Sequence, residues 1–268
     1  MGCPDGCEMT SDISRAISST AYNTYEKRLL KEVLSAPVPH HVAVIMDGNR
    51  RYAQEFGLLV AEGHEKGREK LEQILEWCME IGVRILTVYA FSTENVSRER
   101  KEVDGLMRMF VLNFKKLADD ERVHKHKIRV KILGQKDLLP EDLREAIRYA
   151  EDKTKDYDKY FFNIAVGYGG REEIVQAIRK IADKVKKGEL SADEITERTF
   201  TEFLYTKDMP DPDLVLRTSG EERISNFLRW QLAYSELYFS DVYWPGFRKI
   251  DFLRAVRSYQ MRRRRFGT

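Results

Sequence analysis

Apolar residues recur along this chain in two rhythms. Short runs rich in β-branched and aromatic side chains, Val42–Met46, Arg84–Phe91, Ile128–Leu133, Tyr160–Val166, Leu214–Leu216 and Leu237–Phe239, read as buried strands. Between them, apolar positions at helical spacing predict helices over Tyr22–Leu34, Glu62–Glu80, Lys101 to about His126, Leu143 to about Asp156, and Glu172–Lys186. A shorter helix is expected from the capping box at Ser191–Glu194 to about Leu204, and a closing one over Asp251–Arg264. Strands alternating with helices predict an α/β fold: a single domain with a mostly parallel six-stranded sheet covered on both faces. The polar residues 1–19 read as a disordered tail ahead of a domain over 20–268. In the Lys101–His126 helix the apolar positions Val103, Leu106, Met107, Met109, Phe110, Leu112 and Phe114 cover more than one narrow stripe. That breadth calls for two packing partners or a cavity.

The first strand stops abruptly at Asp47-Gly48-Asn49 and passes into a helical pattern that opens with Arg50-Arg51. Such a turn is often only a turn, but here it carries more. Free N–H groups and two guanidiniums at a helix start favour a phosphate, and Asp47 at a strand's carboxyl end could hold a hard cation beside it. Two further strand ends carry similar groups: Ser92 to Arg98, and Arg217 to Ser225. Arg217 and Arg223 suit either ion pairs with Glu221, Glu222 or Glu236, or a second phosphate group gripped together with Ser225. His64 could contact phosphate or cap its helix. Glu236, in an aromatic setting, wants a partner or a metal.

Composition narrows the classes. The 268 residues, 42% hydrophobic and 34% charged, suit one well-solvated globular domain, and a net charge of +2 gives no general drive toward nucleic acid. The basic end Arg262–Arg265 is the exception to that balance. Three cysteines, Cys3, Cys7 and Cys78, make no disulfide framework. No signal peptide or membrane-length apolar run is visible, so a cytoplasmic protein with at most peripheral membrane contact is expected. No phosphate-loop, dinucleotide or nucleophile-elbow motif follows a strand.

These blocks together resemble the cis-prenyltransferases, the family of undecaprenyl diphosphate and dehydrodolichyl diphosphate synthases. The likeness runs from about Pro39 to Gly267 through the segment beginning at His41, Gly63-His64, Tyr89–Asn95, Tyr168–Arg171, Arg217–Phe227, Trp230-Gln231, Glu236–Tyr238, Trp244-Pro245 and Arg265–Gly267. It implies a homodimeric α/β enzyme with a hydrophobic tunnel that condenses isopentenyl diphosphate with an allylic diphosphate, forming Z double bonds with Mg²⁺. By that resemblance Asp47 binds the metal, with Glu236 completing the site from its own or the neighbouring subunit. Gly48, Asn49, Arg50, Arg51 and His64 hold the allylic diphosphate. Ser92 and Asn95 assist ionisation or proton removal with Arg98 nearby, while Arg217, Arg223, Ser225 and, across the dimer, Gly267 hold isopentenyl diphosphate. Tyr160 and Phe162 are expected at the tunnel floor. Two positions depart from the family pattern: Val60 where an arginine is usual, and Val96 where a tryptophan is. Transfer to a different acceptor, a non-catalytic partner subunit, and nucleic-acid binding through the basic tail are the alternatives; intact Asp47, Arg217 and Arg223 weigh against the second, and the near-neutral charge against the third.

Overall fold

The computed structural model describes residues 22–262. The polar tail with Cys3 and Cys7, and the Arg265–Gly267 segment, lie outside the described residues. Six strands, β1 (His41–Ile45), β2 (Ile85–Ser92), β3 (Ile128–Leu133), β4 (Tyr160–Tyr168), β5 (Leu214–Arg217) and β6 (Glu236–Phe239), form one sheet in the order β3-β4-β2-β1-β5-β6. Every pairing is parallel. Strands covered on both faces need no polar side, which is why β1 runs apolar from Val42 to Ile45 and all five of its residues, His41 included, are buried.

Nine helices cover the sheet among the described residues: α1 (residues 22–34), α2 (Asn49–Glu55), α3 (Val60–Ile81), α4 (Arg100–Asp119), α5 (Glu121–Lys125), α6 (Glu141–Thr154), α7 (Gly170–Lys186), α8 (Glu197–Thr201) and α9 (Lys249–Met261). The larger core joins α1, α3, α4, α6 and α9 to one face of the sheet. A smaller cluster around Ala43, Ile45, Ala165, Tyr168, Val215 and Phe227 fills the other.

Two helices differ from the sequence expectation. The stretch 101–126 is not continuous: Asp120 leaves helical geometry (φ −71°, ψ 119°) and its carboxylate accepts from the Arg122 N–H, ending α4 and capping α5. The segment from Ser191 forms its capping box, but around a single 3-10 turn, after which Thr196 caps the short α8 instead. Competing side-chain caps break both patterns.

Strand register aligns the carboxyl ends. Ile45 lies beside Tyr89 on one side and Arg217 on the other, so the ends of β2, β1 and β5 stand in a row. The chain leaves β1 toward β2 and returns to its opposite edge at β5, so β1 marks the point where strand order reverses and a crevice opens.

Candidate active site

Three strand ends build the cleft. Asp47 follows β1, and its backbone is pinned: its N–H donates to Thr218 Oγ1 (3.0 Å), while its carbonyl accepts from Thr218 Oγ1 (2.7 Å) and from the Trp244 N–H (3.0 Å). Gly48 turns the chain at φ +107°, and a Cβ there would stand 2.9 Å from the Tyr243 ring, so both the turn and the space require glycine. Helix α2 then presents Asn49, Arg50 and Arg51. It has seven residues and no acidic residue in its first turn, so its arginines contribute more to the local field than its dipole.

Asp47 does not stand alone. Arg217 Nη2 donates to its Oδ2 at 2.7 Å, and Arg51 Nη2 lies 3.3 Å from Oδ1. Burial opposes ionisation of this carboxyl, but the hydrogen bond and charge of Arg217, joined by Arg51, outweigh it and hold Asp47 below the usual carboxylate range. Arg217 is itself enclosed, with its side chain 4% exposed. It reaches Ser225 Oγ at 2.7 Å and the Arg223 carbonyl, and its Nε is buried with no acceptor. An unpaired buried guanidinium N–H at the edge of a cleft is a place for an anion's oxygen.

On the other side of β1, Ser92 and Asn95 hold one another. The Ser92 N–H donates to Asn95 Oδ1 (3.0 Å) and the Asn95 N–H to Ser92 Oγ (3.2 Å), closing the turn after β2. Glu102, at the start of α4, gathers the cations above them: it accepts from Arg98 at 2.9 Å, faces His64 at 3.2 Å, and pairs with Arg50 at 3.9 Å. Burial lowers the His64 pKa, and Glu102 only partly restores it.

The cleft is lined by Asp47, Gly48, Asn49, Arg50, Arg51, His64, Ser92, Asn95, Arg98, Arg217, Arg223 and Ser225, so most of the residues singled out from sequence meet in one place. Arg171 and Arg229 join them, giving seven arginines against two acidic residues, Asp47 and Glu94, which makes the cleft a site for a highly charged anion. Glu102, Thr218, Glu94 and Asn226 had no role legible in the sequence. Only the four-residue spacing of Arg98, just ahead of α4, and Glu102, in its first turn, left a local trace. The competing ion pairs also exist: Glu221 binds both Arg51 and Arg223. They lie at the rim of the cleft, so they do not remove these arginines from it.

Glu236 is elsewhere. It opens β6 opposite Leu214, at the far end of β5 from Arg217, and pairs with Arg262 at 2.7 Å. Parallel register therefore excludes it from the Asp47 site of its own chain. Val60 and Val96 are exposed and do not line the cleft. Gly267 lies outside the described residues.

An apolar cavity continues from the cleft. It runs between α3, α4 and the sheet, past Leu71, Leu75, Met109, Phe110, Phe114 and Phe162. Met46, Asn49, His64, Ala90 and Leu106 line both spaces, so the anion site opens directly into hydrocarbon surroundings. Leu106 to Leu117 lie along it, a depth of about 16 Å at helical rise. Phe162, expected at the floor, is among its lining residues. Tyr160 is not: it sits at the start of β4 with its ring under Arg84 (5.5 Å) and Lys159 (5.7 Å).

Comparison with known proteins gives a consistent result. A family model for undecaprenyl diphosphate synthases matches residues 45–267. The chain is 55% identical to a tritrans,polycis-undecaprenyl-diphosphate synthase (geranylgeranyl-diphosphate specific) of Thermoplasma volcanium, over 95% of this chain and 99% of that one. A protein of the same name from Methanopyrus kandleri is 54% identical over 92% and 91%. Among solved structures, a lavandulyl diphosphate synthase from Lavandula x intermedia, in complex with dimethylallyl diphosphate, superposes with a TM-score of 0.81 at 41% identity, covering 86% of this chain and 99% of that one.

Proposed function

This chain belongs to the undecaprenyl diphosphate synthase family and is a cis-prenyl diphosphate synthase, and on that premise we propose how its cleft divides the work. The reaction joins isopentenyl diphosphate to an allylic diphosphate and leaves a Z double bond in a polyprenyl diphosphate. The observation that carries the reading is the continuity of an arginine-rich cleft with a deep apolar cavity: a diphosphate is held at one end and its hydrocarbon chain at the other.

The allylic diphosphate lies over Gly48, Asn49, Arg50 and Arg51 with His64 beside it, its chain entering past Met46 and Leu106. Isopentenyl diphosphate occupies the pocket of Arg217, Arg223 and Ser225. Loss of the allylic diphosphate builds charge on the leaving group, and arginines fixed beforehand by Asp47, Glu102 and Glu221 stabilise it without rearranging. Ser92 and Asn95, locked to each other, stand where the second substrate loses its proton from C2.

Among the described residues no group of three or more acidic or histidine side chains could cage a metal. A single ionised carboxylate facing diphosphates does fit Mg²⁺, which is commonly bound by one or two carboxylates and the substrate's own phosphates. Held by Asp47, the cation would neutralise charge on the departing diphosphate. Glu236 can contribute only from a neighbouring subunit. Pairing of two copies is supported by Val175 and Ile178, 46% and 53% exposed one turn apart on α7. No helix among the described residues is long and apolar enough to cross a membrane, and the contact we propose with a lipid surface during product release is peripheral.

The names of the relatives point to geranylgeranyl diphosphate as primer. The test is to incubate the protein with labelled isopentenyl diphosphate, Mg²⁺ and allylic primers of increasing length. Polyprenyl products with EDTA-sensitive formation are expected. A single condensation that never extends would favour the alternative acceptor chemistry, and no incorporation would overturn the reading.

A further inference from the structure

The loop after β5 carries an unusual concentration of left-handed backbone. Ser219 (φ 75°), Ser225 (φ 44°), Asn226 (φ 64°) and Leu228 (φ 41°) all lie in a region that side chains other than glycine seldom adopt. Such geometry persists only where neighbouring structure holds it. Here the holding is concentrated on Asn226. Its carbonyl accepts from the Gly170 N–H at 2.7 Å, its Oδ1 accepts from the Arg171 N–H at 3.0 Å, and its Nδ2 donates to Glu94 Oε1 at 2.9 Å. One residue of the β5 loop thus caps the helix that follows β4 and grips the turn that follows β2.

The glycines of the β4 turn make this approach possible. A Cβ on Gly169 would stand 2.7 Å from Thr93 Oγ1 and 3.0 Å from Asn226 Nδ2, and one on Gly170 would stand 3.0 Å from the Asn226 carbonyl. The next residue, Phe227, is fully buried and stacks on Tyr89 at 4.6 Å. Glu94 is otherwise out of place, a carboxylate lining a cleft for diphosphates. It is not suited to taking a proton: burial works against its ionisation, yet hydrogen bonds from its own N–H, Asn226 and neighbouring hydroxyls hold its pKa below the usual range.

We propose that Asn226 is a positioning residue: with Glu94 as its anchor, it latches the Arg217–Ser225 loop onto the ends of β2 and β4 and so sets the pocket for the second diphosphate. The assignment of that pocket to isopentenyl diphosphate rests on the function proposed above. The latch acts on Ser225, the adjacent residue, which with Arg217 forms the pocket wall.

The test compares Asn226→Gly, Asn226→Ala, Glu94→Ala and the Asn226→Gly/Glu94→Ala pair, varying each substrate in turn. Glycine tolerates the positive φ, so Asn226→Gly removes the side-chain latch without added backbone strain. Its expected effect is a rise of about tenfold in KM for isopentenyl diphosphate, with kcat within threefold and the allylic KM within twofold. Asn226→Ala should do worse, and Glu94→Ala added to Asn226→Gly should add little. An unchanged KM for both substrates in Asn226→Gly, or full additivity of the pair, overturns the latch. Arg223→Ala, measured alongside, reports which substrate the pocket holds. If it raises the allylic KM instead, the pocket assignment fails, while the latch stands if Asn226→Gly raises that same constant and falls if it does not.

Discussion

Removing Asp47 should have two opposite effects, and both stem from its contact with Arg217. In Asp47→Ala the Arg217 guanidinium, its side chain 4% exposed, loses the carboxylate at 2.7 Å and keeps only Ser225 Oγ and the Arg223 carbonyl. Breaking a fully buried ion pair costs about 3–5 kcal/mol. Asp47 is 29% exposed, so water enters the gap and the expected loss is smaller, about 1–3 kcal/mol. For a chain of this size that is a fall of roughly 2–10 °C in Tm. The same deletion frees Arg217 and Arg51 from an anion already present in the cleft. In EDTA, inorganic pyrophosphate should therefore bind Asp47→Ala more tightly than the wild type and raise its Tm further, following the logarithm of ligand concentration over Kd. With Mg²⁺ and both substrates the variant should show no incorporation. Differential scanning fluorimetry across a pyrophosphate titration, with EDTA and with Mg²⁺, measures the stability and binding effects, and labelled isopentenyl diphosphate measures incorporation. If pyrophosphate in EDTA stabilises the wild type more than Asp47→Ala, the carboxylate is not competing for these arginines, and the assignment of the cleft to a diphosphate loses its electrostatic basis.

Further expectations can be checked separately. His41 is 1% exposed, with Nδ1 on the Pro210 carbonyl (2.8 Å) and Nε2 on Thr87 Oγ1 (2.7 Å), and burial lowers its pKa from 6.5 to about 4. The unfolded chain takes up the proton first, so stability should fall as pH drops from 6.5 toward 4, by about 3 kcal/mol from this residue, and urea unfolding of His41→Gln should lack that slope. Gly63→Ala should destabilise by about 2 kcal/mol, because the new Cβ stands 2.4 Å from the Asn49 carbonyl; Gly105→Ala on α4, with open space around it, should gain up to about 1 kcal/mol from helix propensity. Phe162→Ala should lengthen the polyprenyl product and Tyr160→Ala should not, since only Phe162 lines the cavity; equal product lengths from the two variants would remove Phe162 as a stop.

The sheet was legible because its parallel strands are built mostly of β-branched and aromatic residues, with only isolated polar positions such as Arg129 and Lys131 in β3 and Asn163 in β4. β3 runs over Ile128–Leu133, the span its sequence predicts. The helices were legible where one apolar stripe faced inward, as in α6, where Leu143, Ala146, Ile147 and Ala150 are all buried. They were not where a short polar side chain competed with the helix for its own backbone: Asp120 splits α4 from α5, and Thr196 restarts the chain after Ser191. Nothing in the apolar period marks such a break, since the side chains on either side keep the same spacing.

The site divides along a similar line. Residues that follow a strand could be read from sequence because alternation of strands and helices already places their strand ends on one side of a sheet. What could not be read is which ends are neighbours, and that decides the chemistry. Asp47 meets Arg217 across 170 positions of sequence only because β5 docks on the free edge of β1. The same strand order separates Glu236 from both: β6 enters the sheet level with the start of β5, so its first residue lies at the opposite end from the cleft. A glutamate three residues into that strand, level with Arg217, would have stood at the rim, whereas one at its start cannot reach Asp47 without a second subunit. A metal role for Glu236 therefore depends on dimerisation in a way that the role of Asp47 does not. If two copies pair through α7 as proposed, a charged substitution at Ile178 should abolish any Glu236 contribution while leaving pyrophosphate binding at Arg217 in place.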